Sequence, residues 1–358
     1  MTERRRMTTL IRKHFDRLRK SQRKTIRDLV LGLLRSRQVG QAAIARGMRD
    51  LTTVRHRIKR IWRFCKNDNI QCAKVFAALA QWICAQCSAT LVVALDWTDL
   101  GDYKMLAAKV AVCSRAVPIA WTVVRKGEFS AERKSQNTVE ERLIRELKGI
   151  LDGRAWILVA DRGFRRAALL RKLNRWDIRY IIRAATNTWV KTSRGSGLLG
   201  EVRPCPQRAL RYKKVLYQKE LQVETGLVVT HREPADEPWY LVTNVELRPT
   251  EAERIYRQRM WIEEAFRDCK SNFGLSDLKL SEAERMERMM IVVAVAMLLA
   301  VLRGLQYRQK HGGRDPQLST KKRGVVLSIF RIGLELIHLQ GLPSGLDEVR
   351  LPVLLTAP

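Results

Sequence analysis

The sequence predicts an α/β protein: a mixed sheet with an all-β insertion, preceded by a basic helical region and followed by further helices. Three observations carry that expectation. The runs LVVAL (91–95) and WILVA (156–160) are short and wholly apolar, as strands covered on both faces are. Strand-like and helical segments alternate from about residue 90 to 183. Residues 184–248 then abandon that alternation for glycines, prolines and β-formers (GLLGEVRP, LRYKKVLYQKELQV, GLVVTHREP, PWYLVTNVEL).

Taken in order, Leu10, His14 and Leu18 space one helical face, and Ile26, Leu29, Val30, Leu33 and Leu34 continue one. Residues 41–48 form a short helix, and Thr52 or Thr53 caps another that carries Arg55, Arg57, Lys59, Arg60 and Arg63. Two short helices around a glycine-containing turn, the second basic, fit a helix-turn-helix; a surface helix of a basic bundle is the plainer alternative. After LVVAL, the segments MLAAKVAVC and VPIAWTVV read as a hairpin, 132–151 as a helix, 165–173 as a helix and 178–182 as a strand. From Thr250 the chain is helical again. The longest apolar run, 289–302, stops at Arg303; at 14 residues it is short for a bilayer and reads as a core helix. The expected domains are 1–88 (helical, basic), 89–183 (first part of the α/β core), 184–248 (β insertion), 249–305 (second part of the core) and 306–358 (C-terminal helices).

The 358 residues carry 68 Lys+Arg against 36 Asp+Glu, a formal charge of +32. A hydrophobic fraction of 46% excludes a disordered polyelectrolyte, so the charge lies on a folded surface that suits a polyanion. Residues 1–60 hold 19 Lys+Arg and 4 Asp+Glu, a local excess of +15. The basic start lacks an apolar core and a small-residue cleavage site, so no secretory signal is expected. Seven cysteines, an odd number, suit reduced thiols in a cytosol. Cys84-x-x-Cys87 with Cys65 and Cys72 has irregular spacing, and the five histidines are scattered, so neither a zinc site nor a histidine acid–base centre is expected. Lys321, Lys322 and Arg323 either add contacts to the polyanion or start a C-terminal helix.

Both apolar strands are followed by an aspartate, Asp96 in LVVALDWTD and Asp161 in WILVADRGF. A strand end fixes a carboxylate where a loop admits substrate, although turns and caps also favour aspartate. Asp99 and Asp102 are either auxiliary ligands or, by default, a polar loop beyond it. In ERIYRQRMWIEEAFRDCKSNF, taken as one helix with Glu263 at zero, Tyr256 falls near +20°, Arg259 near −40° and Lys270 near −20°, an arc of about 60°. Ile255, Ile262, Phe266, Cys269 and Phe273 form an adjoining apolar stripe, whereas Glu264 and Asp268 turn toward solvent. Glu263 thus borders the core beside two cations and a phenol. Several carboxylates around a pair of divalent ions suit phosphodiester cleavage, and oxygen ligands suit Mg²⁺ or Mn²⁺. Arg259 and Lys270 would grip phosphates, and Arg162 beside Asp161 either touches phosphate or forms a surface ion pair.

At these residues the sequence resembles the bacterial insertion-sequence transposases of the DDE type, in the large family (insertion-sequence family four) marked by Tyr-x2-Arg-x3-Glu-x6-Lys. Tyr256, Arg259, Glu263 and Lys270 match that spacing, and Asp96 and Asp161 match the family's two aspartate segments. The wording LDWTDL, ADRGF and RMWIEEAFRDCKSNFGL is similar to the hairpin-forming, cut-and-paste subgroup; the resemblance spans about residues 50–305. It implies an RNase H-like fold with the β insertion between the second Asp and the Glu. It also implies two Mg²⁺ per site (Mn²⁺ substituting) held by Asp96, Asp161 and Glu263, excision at terminal inverted repeats through a DNA hairpin, and joining to target DNA. A homodimer on DNA, in the bacterial cytoplasm, without membrane or nucleotide cofactor, completes the expectation. In WYLVT, Trp239 resembles the tryptophan that stacks on a flipped base; closing a β core is its plain alternative. Met260 departs from the family, which often has an aromatic there. Two rivals stand beside this reading: a catalytically inactive, transposase-derived DNA-binding protein, and an RNase H-like nuclease for branched or hybrid substrates.

Overall fold

The runs LVVAL and WILVA lie side by side as parallel strands in the computed structural model, which describes residues 2–87, 89–129, 135–205, 208–231, 237–311 and 327–351. In chain order the elements are α1 (Glu3–His14), α2 (Lys20–Ser36), α3 (Gln41–Gly47), α4 (Val54–Lys66), α5 (Cys72–Gln86), β1 (Leu91–Leu100), β2 (Tyr103–Val112), β3 (Arg115–Arg125), α6 (Gln136–Ile150) and β4 (Trp156–Ala160). There follow α7 (Ala167–Arg175), β5 (Tyr180–Arg183), β6 (Trp189–Thr192), β7 (Gly195–Leu198), β8 (Leu210–Tyr217), β9 (Val223–Thr230), β10 (Trp239–Thr243), α8 (Pro249–Arg257), α9 (Met260–Phe273), α10 (Ala283–His311) and α11 (Ile329–Gln340). They pack into two compact units. A sheet unit comprises Thr90–Asp96 and Arg154–Ile262; a helix-rich unit comprises Met1–Ala89, Trp97–Gly153 and Glu263–Pro358. Packing therefore regroups the five expected segments, because the N- and C-terminal helices share one core.

In the sheet unit the strand order is β1-β4-β5-β10-β9-β8-β6-β7. The first three strands are parallel, with Leu95 opposite Ala160 and Ala160 opposite Ile182. β10 pairs antiparallel with β5 and with β9. The 184–248 segment is thus an extension of the same sheet. The open edge of β5 explains this: the buried Tyr240, Leu241, Val242 and Thr243 of β10 satisfy it, and β9 to β7 add outward. α8 lies against β5 and β9.

The helix-rich unit is organised on α10, which packs against α2, α4, α5, α11 and β3. By length and composition alone this 29-residue helix could cross a membrane, longer than its apolar run suggests, but 89% of its apolar window is buried within the protein. Its crossing with α11 is backbone on backbone: a Cβ at Gly333 would stand 1.7 Å from the Ala300 carbonyl oxygen. α2 and α3 meet in the same way, since a Cβ at Gly47 would lie 2.2 Å from the Gly32 oxygen. Thr53 caps α4 as expected, accepting from the His56 amide. β2 and β3 form the expected hairpin. None of the seven cysteines is in a disulfide.

Three expectations need correction here. β1 runs on to Leu100, so Asp99 lies in a strand rather than a loop. The helix expected at 132–151 is seen from Gln136, with Ser135 as its cap; 132–134, like Lys321, Lys322 and Arg323, lie outside the described residues. The helix expected across 253–273 is two helices. Between Arg257 and Met260 the amides of Gln258, Arg259, Trp261 and Ile262 bond to carbonyls three residues back, which tightens the turn and shifts the phase of everything after it.

Candidate active site at the carboxyl edge of the sheet

Parallel pairing decides what lies at the edge. With Leu95, Ala160 and Ile182 in register, the next residues are Asp96, Asp161 and Arg183, where the parallel pairing of three adjacent strands ends, although β1 itself continues to Leu100. That is where open α/β sheets bind ligands. The strands below are fully buried, so the edge is rigid. Arg259 Nη1 stands 3.7 Å from Asp96 Oδ2, with side-chain exposures of 11% and 19%. Asp161 caps the 3-10 turn Arg162–Phe164, where the Gly163 amide donates to its Oδ1 at 2.8 Å. A Cβ at position 163 would lie 2.9 Å from that oxygen, so only glycine lets the carboxylate settle there undisturbed. The capping role and the functional role coincide in Asp161.

Three residues from α8 and β10 complete the edge. Tyr256 is buried, and its phenol is pushed up to about 12, by desolvation first; Arg259 and Arg183 pull it back, and Asp161 raises it further. The phenol is therefore protonated near neutrality, and its oxygen accepts a hydrogen bond from the Arg259 guanidinium. Trp239 meets Tyr256 edge to face, centroids 5.2 Å apart, and the Arg257 guanidinium lies 5.5 Å from the indole centroid. Arg183 Nη2 and Arg162 Nη1 approach Glu237 Oε1 at 2.5 Å and 3.7 Å. The Met260 thioether accepts from Arg259 Nη2 at 3.3 Å.

Glu263 belongs to the helix-rich unit, half-buried in the first turn of α9, and Lys270 shares its face seven residues on. Its acidic neighbours do not turn to solvent. Asp268 is buried and takes Arg115 Nε at 2.7 Å; Glu264 bonds Arg267 at 2.6 Å and lies 3.8 Å from Arg115. Burial raises the Asp268 carboxyl, and Arg115 opposes this. The solvent argument for preferring Glu263 thus fails for Asp268. Asp268 is paired with Arg115, a partner supplied by β3.

Oxygen donors of Asp96 and Asp161 fit a hard divalent ion, since Mg²⁺ binds through one or two carboxylates and completes its shell with water and phosphate. Among the described residues, no group of three or more His, Cys, Asp or Glu is assembled to hold a metal.

The basic N-terminal residues divide. Arg55 and Lys59 are exposed on α4. Arg57 instead binds Asp50 Oδ1 at 2.8 Å and the carbonyls of Ala45, Met48 and Asp50, and Arg60 binds Asp50 at 2.8 Å and Asp28 at 3.4 Å. Burial pushes Asp50 up, but hydrogen bonds from Thr52 together with Arg60 and Arg57 prevail and hold it at about 2. Sequence reasoning missed Arg183, Arg257 and Glu237. Arg183 bore a usable signal, because it follows the apolar YII as the two aspartates follow their strands.

Among curated proteins, none matches the chain. A cryo-EM structure described as a piggyBac transposase synaptic complex with hairpin DNA is similar over 96% of this chain and 78% of its own, at 10% identity and a TM-score of 0.42. The family model described as "Transposase DDE domain" matches residues 111–299, more than half of the sequence, a span that begins after Asp96 and contains Asp161 and Glu263. The chain therefore belongs to the DDE transposases, enzymes of transposition and DNA recombination.

Proposed function

We propose that this transposase excises an insertion sequence at its terminal inverted repeats and joins the freed 3′-ends to target DNA, with a hairpin intermediate. In this reading the parallel strands are the core of an RNase H-like catalytic domain, and Asp96, Asp161 and Glu263 are its carboxylates. One observation supports it above the rest: Asp96 and Asp161 stand side by side where the parallel pairing of β1 with β4 stops, and Arg259 of the Tyr-x2-Arg-x3-Glu-x6-Lys signature reaches Asp96 at 3.7 Å.

The three carboxylates would hold two Mg²⁺, with Mn²⁺ able to substitute. Bound there, the ions supply the charge that activates a water or a 3′-hydroxyl and stabilises the leaving oxygen. The chain's own groups do the rest. Arg259 and Lys270 bind strand phosphates, the Tyr256 phenol donates a hydrogen bond, and Trp239, braced by Tyr256 and Arg257, takes an unstacked base. Arg55 and Lys59 on α4 contact the phosphates of the transposon end, and Arg57 and Arg60 hold that helix in place through Asp50. The active assembly is a homodimer on DNA, and the setting is the cytoplasm of a bacterium.

A labelled duplex carrying the terminal repeat, incubated with the protein and Mg²⁺, tests the reading on denaturing and native gels. A nick followed by a hairpin is expected, with Glu263→Ala keeping salt-sensitive binding and losing cleavage. Binding without cutting by the native chain would favour an inactive DNA-binding protein. Cutting without end preference would favour a nuclease.

A further inference from the structure

Asp96, Asp161 and Arg183 stand side by side where the parallel pairing of three strands stops, and only the first two have a role in the reading above. Arg183 is placed like a functional residue: its side chain is 19% exposed, and its guanidinium is near enough to the Tyr256 phenol to influence its ionisation, as Asp161 and Arg259 do. Arg162 follows Asp161 directly. Both arginines converge on one atom, Oε1 of Glu237, whose side chain is 51% exposed.

A carboxylate shared by two guanidinium groups has the charge and the planar oxygen geometry of a bound phosphate. The Arg162–Glu237 pair, with both side chains more than half exposed, adds little to stability, so a purely structural role accounts poorly for a second arginine meeting the same oxygen. Position adds a second argument. Leu241 is opposite Arg183 in the antiparallel pair, which carries Trp239 just beyond the carboxyl edge, and Glu237 lies two residues before it. The segment that brings the indole to the edge thus also brings the acid to the arginines.

We propose that Arg162 and Arg183 form a phosphate-binding pair for the DNA strand at this edge, and that Glu237 occupies it as an internal phosphate mimic until DNA displaces it. This rests on the transposase reading for the identity of the ligand. Displacement frees Glu237, two residues before Trp239, so engagement of the phosphate and presentation of Trp239 to a base are one event.

The test uses the full chain in EDTA, where no strand is cut, and reads the anisotropy of a fluorescein-labelled DNA hairpin. Glu237→Gln is expected to tighten binding about 5-fold and Arg183→Gln to weaken it about 10-fold. In the Arg183→Gln background, Glu237→Gln should give no gain. Glu220→Gln, exposed in the turn between β8 and β9, reports the general effect of one lost negative charge and should change affinity less than about 2-fold. Arg162→Gln, at an exposed side chain, must show the same coupling and covers a misfolded Arg183 variant. If Glu237→Gln matches Glu220→Gln, or its gain survives without the arginines, the proposal is overturned. Thermal shift with inorganic pyrophosphate repeats the ranking without nucleic acid. The same ranking in a protein that never cuts terminal-repeat DNA keeps the phosphate pair and removes the transposase reading; cleavage without the ranking does the reverse.

Discussion

In the α3–α4 region Arg57 and Arg60 close on Asp50, with Asp28 and three backbone carbonyls as further partners, whereas at the carboxyl edge of the sheet Arg259 stands off Asp96 by 3.7 Å. Side-chain exposures are low in both places, so burial does not distinguish them. The hydrogen bonding does. A guanidinium whose donors are spent on short bonds to carbonyls and a carboxylate is part of the fold, because removing one partner strands the others. Arg259, whose approach to Asp96 is longer, would on the proposed reading exchange that carboxylate for a phosphate while the carboxylate takes a cation. The excess positive charge of this chain is therefore not one surface with one purpose.

The largest effect is expected at the edge. Asp161→Asn keeps a side-chain oxygen that can cap the Arg162–Phe164 turn, so the fold should stand while strand cleavage falls by at least about 10³-fold. Circular dichroism beside a cleavage gel checks this; an Asn variant that cuts at the native rate would reduce Asp161 to a cap. A smaller effect, of the opposite kind, belongs to α3–α4. Asp50→Asn should lower stability by about 2 kcal/mol and leave cleavage by the folded fraction intact. It should also flatten the acid limb. A carboxyl lowered from 3.8 to about 2 stabilises the folded state above its unfolded value and loses that contribution as pH falls through about 2, a slope the variant lacks. Urea titrations between these pH values measure it. The smallest effect separates neighbours on one helix. Arg55→Ala and Lys59→Ala should each weaken DNA binding about 3-fold and reduce the salt slope by about one, and Arg57→Ala should act chiefly on stability. Equal salt slopes for Arg55→Ala and Arg57→Ala would erase the distinction.

The same contrast explains what could be read in advance. LVVAL and WILVA were legible because a strand buried on both faces has no polar residues to disguise it, and the aspartates behind them followed. Thr53 and α4 were legible because a cap is a local device. The two-helix form of 253–273 was not, since Gln258 and Arg259 are good helix formers with no glycine or proline to mark the break. The pairing of Asp268 was not legible because its partner Arg115 is distant in sequence, nor were the partners of Arg57 and Arg60, because no periodicity shows that Asp28 and Asp50 face them. The insertion was recognised as β structure, but which strand edge it would cover depends on β5 having one to offer.

Direct measurement of ion binding reaches the central claim without relying on turnover. Free Mn²⁺, followed by electron paramagnetic resonance during titration of the protein bound to uncut terminal-repeat DNA, should be depleted by about two ions per active site in the native chain. The Asp96→Asn, Asp161→Asn double variant should bind the DNA and deplete almost none. Undiminished Mn²⁺ uptake by that variant would contradict the assignment of these carboxylates.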